Sequence, residues 1–115
     1  MKARGHRLFA LAAVASTAAL PANVFAVSVV INEIAWMGTA VSAHHEWIEL
    51  HNMGGEAVGL TGWALTASDG TPGISLQGSI TAGGFFLLER TSDETVPSIT
   101  ADQIYTGALG NTGET

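Results

Sequence analysis

The run Glu46-Trp47-Ile48-Glu49-Leu50-His51-Asn52 alternates strictly, with Ile48 and Leu50 on one side and Trp47, Glu49 and His51 on the other. A period of two belongs to a strand with one face buried, whereas a helix would scatter these residues around its axis. The stretch Val27 to Ala35 is rich in β-branched residues, lacks a breaker and reads as a strand before it. Val27, Val29, Ile31, Glu33 and Ala35 fall on one face, and Ser28, Val30, Asn32, Ile34 and Trp36 on the other. Both faces are largely apolar, which predicts little exposure on either side.

The rest of the chain repeats this pattern in short lengths. Val58 to Ala67 reads as a third strand, with Leu60, Trp63 and Leu65 as its apolar residues. Ile74 to Ile80 is a fourth, in which Ile74, Leu76, Gly78 and Ile80 share a face. Phe85 to Thr91 is a fifth, and Gln103 to Gly107 a brief sixth around Ile104 and Tyr105. Asn52-Met53-Gly54-Gly55, Ser68-Asp69-Gly70-Thr71-Pro72-Gly73 and Ala82-Gly83-Gly84 supply the turns. Short strands separated by Gly and Pro predict an all-β sandwich or barrel, and no helical period follows Ala26. Ala108 to Thr115 reads as a turn entering a further strand. An immunoglobulin-like sandwich needs about seven strands, so the expectation is a domain incomplete at its C-terminus, part of a longer protein.

The N-terminus has a different grammar. Met1 to Arg7 is basic, Leu8 to Leu20 is uncharged and Ala-rich, and Val24-Phe25-Ala26 places small or apolar residues where a signal peptidase needs them. This predicts a signal peptide helix over 1–26, cleaved after Ala26, and a mature domain over 27–115 that is secreted or held at the cell surface. The apolar run is shorter than the roughly 20 residues of a membrane span, and no later stretch is long enough, so no span is expected in the mature chain. There is no Cys, so no disulfide contributes to stability.

Charge divides at the same boundary. Lys2, Arg4 and Arg7 precede the cleavage point and only Arg90 follows it, while all ten Asp and Glu lie from Glu33 onward. The mature chain thus has formal charge 1 − 10 = −9. Such a body repels phosphate backbones and disfavours direct nucleic-acid binding; divalent cations or basic protein surfaces suit it better.

Several ordered stretches together resemble the lamin tail domain in its bacterial, secreted form. They are Val30-Ile31-Asn32-Glu33-Ile34-Ala35-Trp36-Met37-Gly38-Thr39, Glu46 to Asn52, Leu60-Thr61-Gly62-Trp63-Ala64-Leu65, Ile80 to Arg90, and Ala101 to Leu109. The resemblance runs from about Val29 to Glu114. It implies an immunoglobulin-like β-sandwich that continues past Gly110-Asn111-Thr112-Gly113-Glu114. It also implies a non-catalytic module of exported or surface proteins, used for binding or attachment to a protein or cell-envelope component. Such domains sometimes stand beside nucleases, phosphoesterases or other hydrolases, so an accessory domain of a secreted hydrolase is the alternative. The family has no common catalytic residues to carry over.

The residues themselves offer few sites. His44, His45, Glu49 and His51, with Glu46, form the densest group of metal-ligand types, and a metal-binding module using His44, His45 and His51 is a third reading. Their spacing follows no established ligand pattern, so no metal or other cofactor is assigned. Asn32, Glu33, Glu49 and Asn52 read as hydrogen-bond partners for backbone groups near strand ends rather than as catalysts. Asp69 and the Asp93-Glu94 pair lack the alternating oxygen ligands of a calcium loop, and Asp69 fits turn chemistry. Ser42 and Ser68 have no base in pattern, and no Gly-x-Ser-x-Gly elbow is present. Of Trp36, Trp47 and Trp63, at least two are expected to pack the core. The chain is read as non-enzymatic.

Overall fold

The computed structural model describes residues 4–5 and 28–110, and these are all β and irregular structure with no helix. The strands are β1 (Arg4–Gly5), β2 (Val29–Ala35), β3 (Trp47–Asn52), β4 (Val58–Gly59), β5 (Ala64–Thr66), β6 (Gly73–Ser75), β7 (Ser79–Ile80), β8 (Phe85–Arg90) and β9 (Gln103–Tyr105). They form a four-stranded sheet ordered β2-β3-β8-β9, a sheet β1-β5-β6 and a two-stranded ribbon β4-β7. Of the helix expected over 1–26 with its cleavage point at Ala26, only Arg4–Gly5 is described, and it is a strand and not helical; the rest of that stretch and residues 111–115 lie outside the described residues.

One core joins the sheets. Ile48, Leu50, Phe86 and Leu88 from the four-stranded sheet meet Leu60, Leu65, Ile74, Leu76 and Ile80 from the small ones, with Tyr105 and Leu109 completing the cluster. This follows from the alternation: Ile48 and Leu50 are the inward positions of β3, and Phe86 and Leu88 are their cross-strand counterparts on β8. Trp36 and Trp63 pack against this cluster while staying half-buried, and Trp47 is half-buried on the opposite side of the sheet.

Three expectations are corrected. β2 is an edge strand, with Val30, Asn32 and Glu33 exposed, so it is not shielded on both faces. Its register slips between Ile31 and Glu33, where Asn32 is inserted as a bulge. The bulge puts Ile31 and Ile34 on the same inward side although they are three apart, and Glu33 and Ala35 outward. Strict alternation through Asn32 had separated them.

The third and fourth strands are each broken in two. Val58 to Ala67 turns at Leu60-Thr61-Gly62-Trp63, where the Trp63 N–H donates to Leu60 O at 2.9 Å and Gly62 has φ of 91°. Ile74 to Ile80 breaks at Gly78, with φ of 88°. Both glycines adopt backbone angles that side chains disfavour, and the chain uses them to cross from one small sheet to the other. Ile74, Leu76 and Ile80 nevertheless all point inward, as the alternation predicted.

β9 runs parallel to β8, with Leu88 opposite Gln103 and Arg90 opposite Tyr105. A parallel neighbour needs a crossover instead of a tight turn. Residues 91–102 supply it without a helix, so their backbone polar groups must find partners elsewhere.

Candidate interaction surface

Most of the acidic and amide residues have structural employment. Glu46, one residue before β3, is buried and makes an ion pair with Arg90 Nη1 at 3.1 Å through Oε1. Its Oε2 accepts from Leu109 N at 2.8 Å, and its backbone carbonyl accepts from Arg90 N at 3.0 Å. One side chain thereby ties the start of β3 to the end of β8 and to the C-terminal turn. Tyr105 lies against this pair. Burial is the main cause that pushes its phenol above the ordinary tyrosine range; Glu46 adds to the rise and Arg90 opposes it.

The crossover is held by carboxylates. Glu89 is completely buried, and its Oε1 accepts from Thr95 N at 2.6 Å and Val96 N at 2.9 Å. Asp93 Oδ1 accepts from Ala101 N at 2.8 Å. Asp102 Oδ2 accepts from Leu87 N at 2.7 Å while Asp102 N donates to Leu87 O at 2.8 Å. Backbone amides that a helical crossover would have bonded internally are satisfied by acids on either side of it. Sequence reasoning missed Glu46, Glu89 and Asp102 in these roles. A Glu on an apolar strand, as Glu89 is in Phe-Phe-Leu-Leu-Glu-Arg, was the available signal.

Asn52 occupies an inward position at the end of β3 and is fully buried. Its Nδ2 donates to Glu56 O at 2.7 Å, Thr81 O at 3.1 Å and Ile80 O at 3.2 Å. Its Oδ1 accepts from Ser28 Oγ at 2.7 Å and Gly54 N at 2.9 Å. This is the backbone-satisfying role expected for it. Asn32 Nδ2 donates to Glu49 Oε1 at 2.7 Å on the exposed face, whereas Glu33 is solvent-exposed.

The metal-ligand types do not converge. His45 Nδ1 is 2.8 Å from Thr39 Oγ1, and the His44 N–H donates to Ser42 Oγ at 3.0 Å. His51 instead stacks on Phe85, with ring centroids 4.3 Å apart and planes 9° from parallel. Among the described residues no group of three His, Asp or Glu is placed to hold a metal ion. Asp69 Oδ1 accepts from Thr71 N at 3.0 Å, closing its turn, and Glu94 accepts from Ser92 Oγ at 3.1 Å. Ser68 lies in the turn beside Asp69.

The features left unemployed sit on the outer face of the four-stranded sheet. Val30, His51 and Phe85 are consecutive cross-strand neighbours on β2, β3 and β8. Val30 and Phe85 are exposed, Phe85 to 55%, and Met53 in the turn after β3 is exposed to 66%. The next rung carries Glu33 directly opposite Glu49. The crossover folds onto the other end of this face through its bonds to Glu89, leaving the Val30–His51–Phe85 end open. No helix of the described residues is long and apolar enough to cross a membrane. Compared with family models, curated proteins and solved structures, the chain finds no match.

Proposed function

We propose that this chain is a non-catalytic interaction or attachment module of an exported protein, an immunoglobulin-like β-sandwich of the lamin tail kind. It binds a protein or cell-envelope component through the outer face of β2-β3-β8. The observation that carries this reading is the open strip Val30–His51–Phe85, adjoining the Glu33–Glu49 rung. Like charges directly opposite each other on a sheet are destabilising. The Asn32 amide offsets part of that cost at Glu49. An apolar strip left in water beside an acidic rung serves a partner that brings apolar and basic groups together. The acidity of the body favours a basic protein surface over nucleic acid.

The test uses the exported product and two variants, Phe85→Ser and Glu33→Gln/Glu49→Gln, in co-sedimentation with isolated cell envelopes at low and high salt. Phe85→Ser is expected to lower binding at least about tenfold, the loss of one well-buried aromatic contact, while stability falls only by the His51 stack, about 0.5–1.5 kcal/mol. The double Gln variant should bind with a weaker salt dependence. Equal binding by all three folded proteins would remove this face from the function.

A further inference from the structure

The β1-β5-β6 sheet contains an edge that already holds a strand. On the inner side of β5, Leu76 N donates to Trp63 O at 2.9 Å and Ala67 N to Pro72 O at 3.0 Å. Odd-numbered residues here thus turn their peptide groups toward β6. The peptide groups of Ala64 and Thr66 turn the other way, because they alternate along a strand. On that side Arg4–Gly5 lies antiparallel, with Arg4 opposite Thr66 and Gly5 opposite Leu65. Among the described residues β1 ends the sheet, so it is the neighbour of β5 on that side.

β5 is only three residues long, which limits its edge, but it carries none of the other devices that blunt one. Ala64-Leu65-Thr66 has no charge, proline or bulge, so its outward N–H and C=O groups form a template for pairing. The stretch seated on it is chemically distinctive. Residues 1–7 hold three of the four cations of the chain. Residues 28–110 hold Arg90 against nine carboxylates, Glu33, Glu46, Glu49, Glu56, Asp69, Glu89, Asp93, Glu94 and Asp102, with Asp69 in the turn that follows β5.

We infer that the β5 edge is a strand-acceptor site for an extended basic segment. The chain's own N-terminus fills it in the precursor, and leader removal frees it for a segment of a partner protein. Main-chain bonds give such an added strand its affinity, and the acidic body selects its charge. The release step rests on the export reading above; the acceptor edge does not.

The experiment follows hydrogen exchange at the Thr66 amide in the full chain and in full-chain Arg4→Pro. Proline removes the N–H that pairs with Thr66, and so opens the edge without any cleavage. The variant should exchange about tenfold faster at Thr66, the loss of roughly one net hydrogen bond. A synthetic peptide of residues 2–10 should restore protection. The same peptide with Lys2, Arg4 and Arg7 replaced by Glu should not. Equal exchange in the two full chains, or no effect of the basic peptide on the variant, overturns the acceptor site. Equal rescue by both peptides overturns its charge selection. The mass of the exported product reports leader removal separately: a product still carrying residues 1–26 overturns the release step alone.

Discussion

Replacing Asn52 by Ala should remove a large share of the stability of the domain. The Asn52 amide has two N–H protons facing three carbonyls, those of Glu56, Ile80 and Thr81, and its oxygen accepts from Ser28 and Gly54. That amounts to four full hydrogen bonds, one of them shared, at about 1 kcal/mol net each. Ile80 O lies in the buried part of the site, whereas the other partners are only part-buried and can recruit water. Rehydration of those groups brings the expected loss to about 3 kcal/mol, against a total of roughly 5–15 kcal/mol for a domain. The assay is urea unfolding followed by tryptophan fluorescence. With a slope near 1 kcal/mol per molar, the midpoint should fall by about 3 M. Asn32→Ala, which breaks one exposed bond to Glu49, is the control and should cost under about 0.5 kcal/mol. Asn52→Asp should be worse than Ala at neutral pH, since it aims a carboxylate at three carbonyls, and should recover on acidification. An Asn52→Ala midpoint within error of wild type would refute the view that this side chain fastens the start of β2, the turn after β3 and the end of β7 together.

Three further outcomes follow from the same geometry. Glu89→Ala should leave the Thr95 and Val96 amides without an acceptor, cost about 2–3 kcal/mol, and speed proteolytic nicking within residues 92–100; nicking at the wild-type rate would count against it. Tyr105→Phe should be neutral or slightly stabilising at pH 7, because the buried phenol oxygen has no hydrogen-bond partner among the described residues. The raised phenol pKa keeps the proton in the folded state while the unfolded state loses it near pH 10, so wild-type stability should fall as pH rises above about 10, and the Phe variant should lose this component. Gly62→Ala should cost about 1 kcal/mol from its positive φ, although a side chain there meets open space; Gly55→Ala, equally open with an ordinary φ, should cost far less, and thermal unfolding of the pair separates strain from crowding.

The features of the fold legible in the sequence were set by period and by turn residues. The inward set Ile48, Leu50, Ile74, Leu76 and Ile80 could be read directly, since a strand with one buried face must alternate. The Asn32 bulge could not, because one inserted residue leaves composition unchanged and only shifts the phase of the residues after it. The breaks at Gly62 and Gly78 were hidden for a related reason. A lone glycine inside an apolar run is compatible with a continuous strand, and the tertiary choice to cross between sheets decides it. The parallel placement of β9 is wholly non-local, and depends on how Glu89, Asp93 and Asp102 fold the crossover. The His group, to which no metal was assigned, shows the limit of sequence proximity. Residues near in sequence part in the fold: His45 turns to Thr39 while His51, outward on β3, meets Phe85 across the sheet.

The distribution of acids explains why one face is the functional candidate. A body this acidic lowers its own stability through self-repulsion unless the carboxylates are used. Glu46, Glu89, Asp69, Asp93 and Asp102 are used, each accepting a backbone N–H that loops and a parallel crossover would otherwise leave unbonded. These residues do the work that helix ladders or disulfides perform in other small domains, and a chain without Cys has reason to rely on them. Glu33 and Glu49 do not fit this logic. They face each other across β2 and β3, Glu33 exposed and Glu49 half-buried with the Asn32 amide on it, and among the described residues neither accepts a loop backbone amide. Beside them Val30 and Phe85 remain exposed, with Phe85 held on this face by its stack on His51. Selection for stability alone would change both rungs. That both conflicts fall on adjacent rungs of one open sheet face is what supports the binding surface proposed above, because their energetic return would come only when a partner covers them.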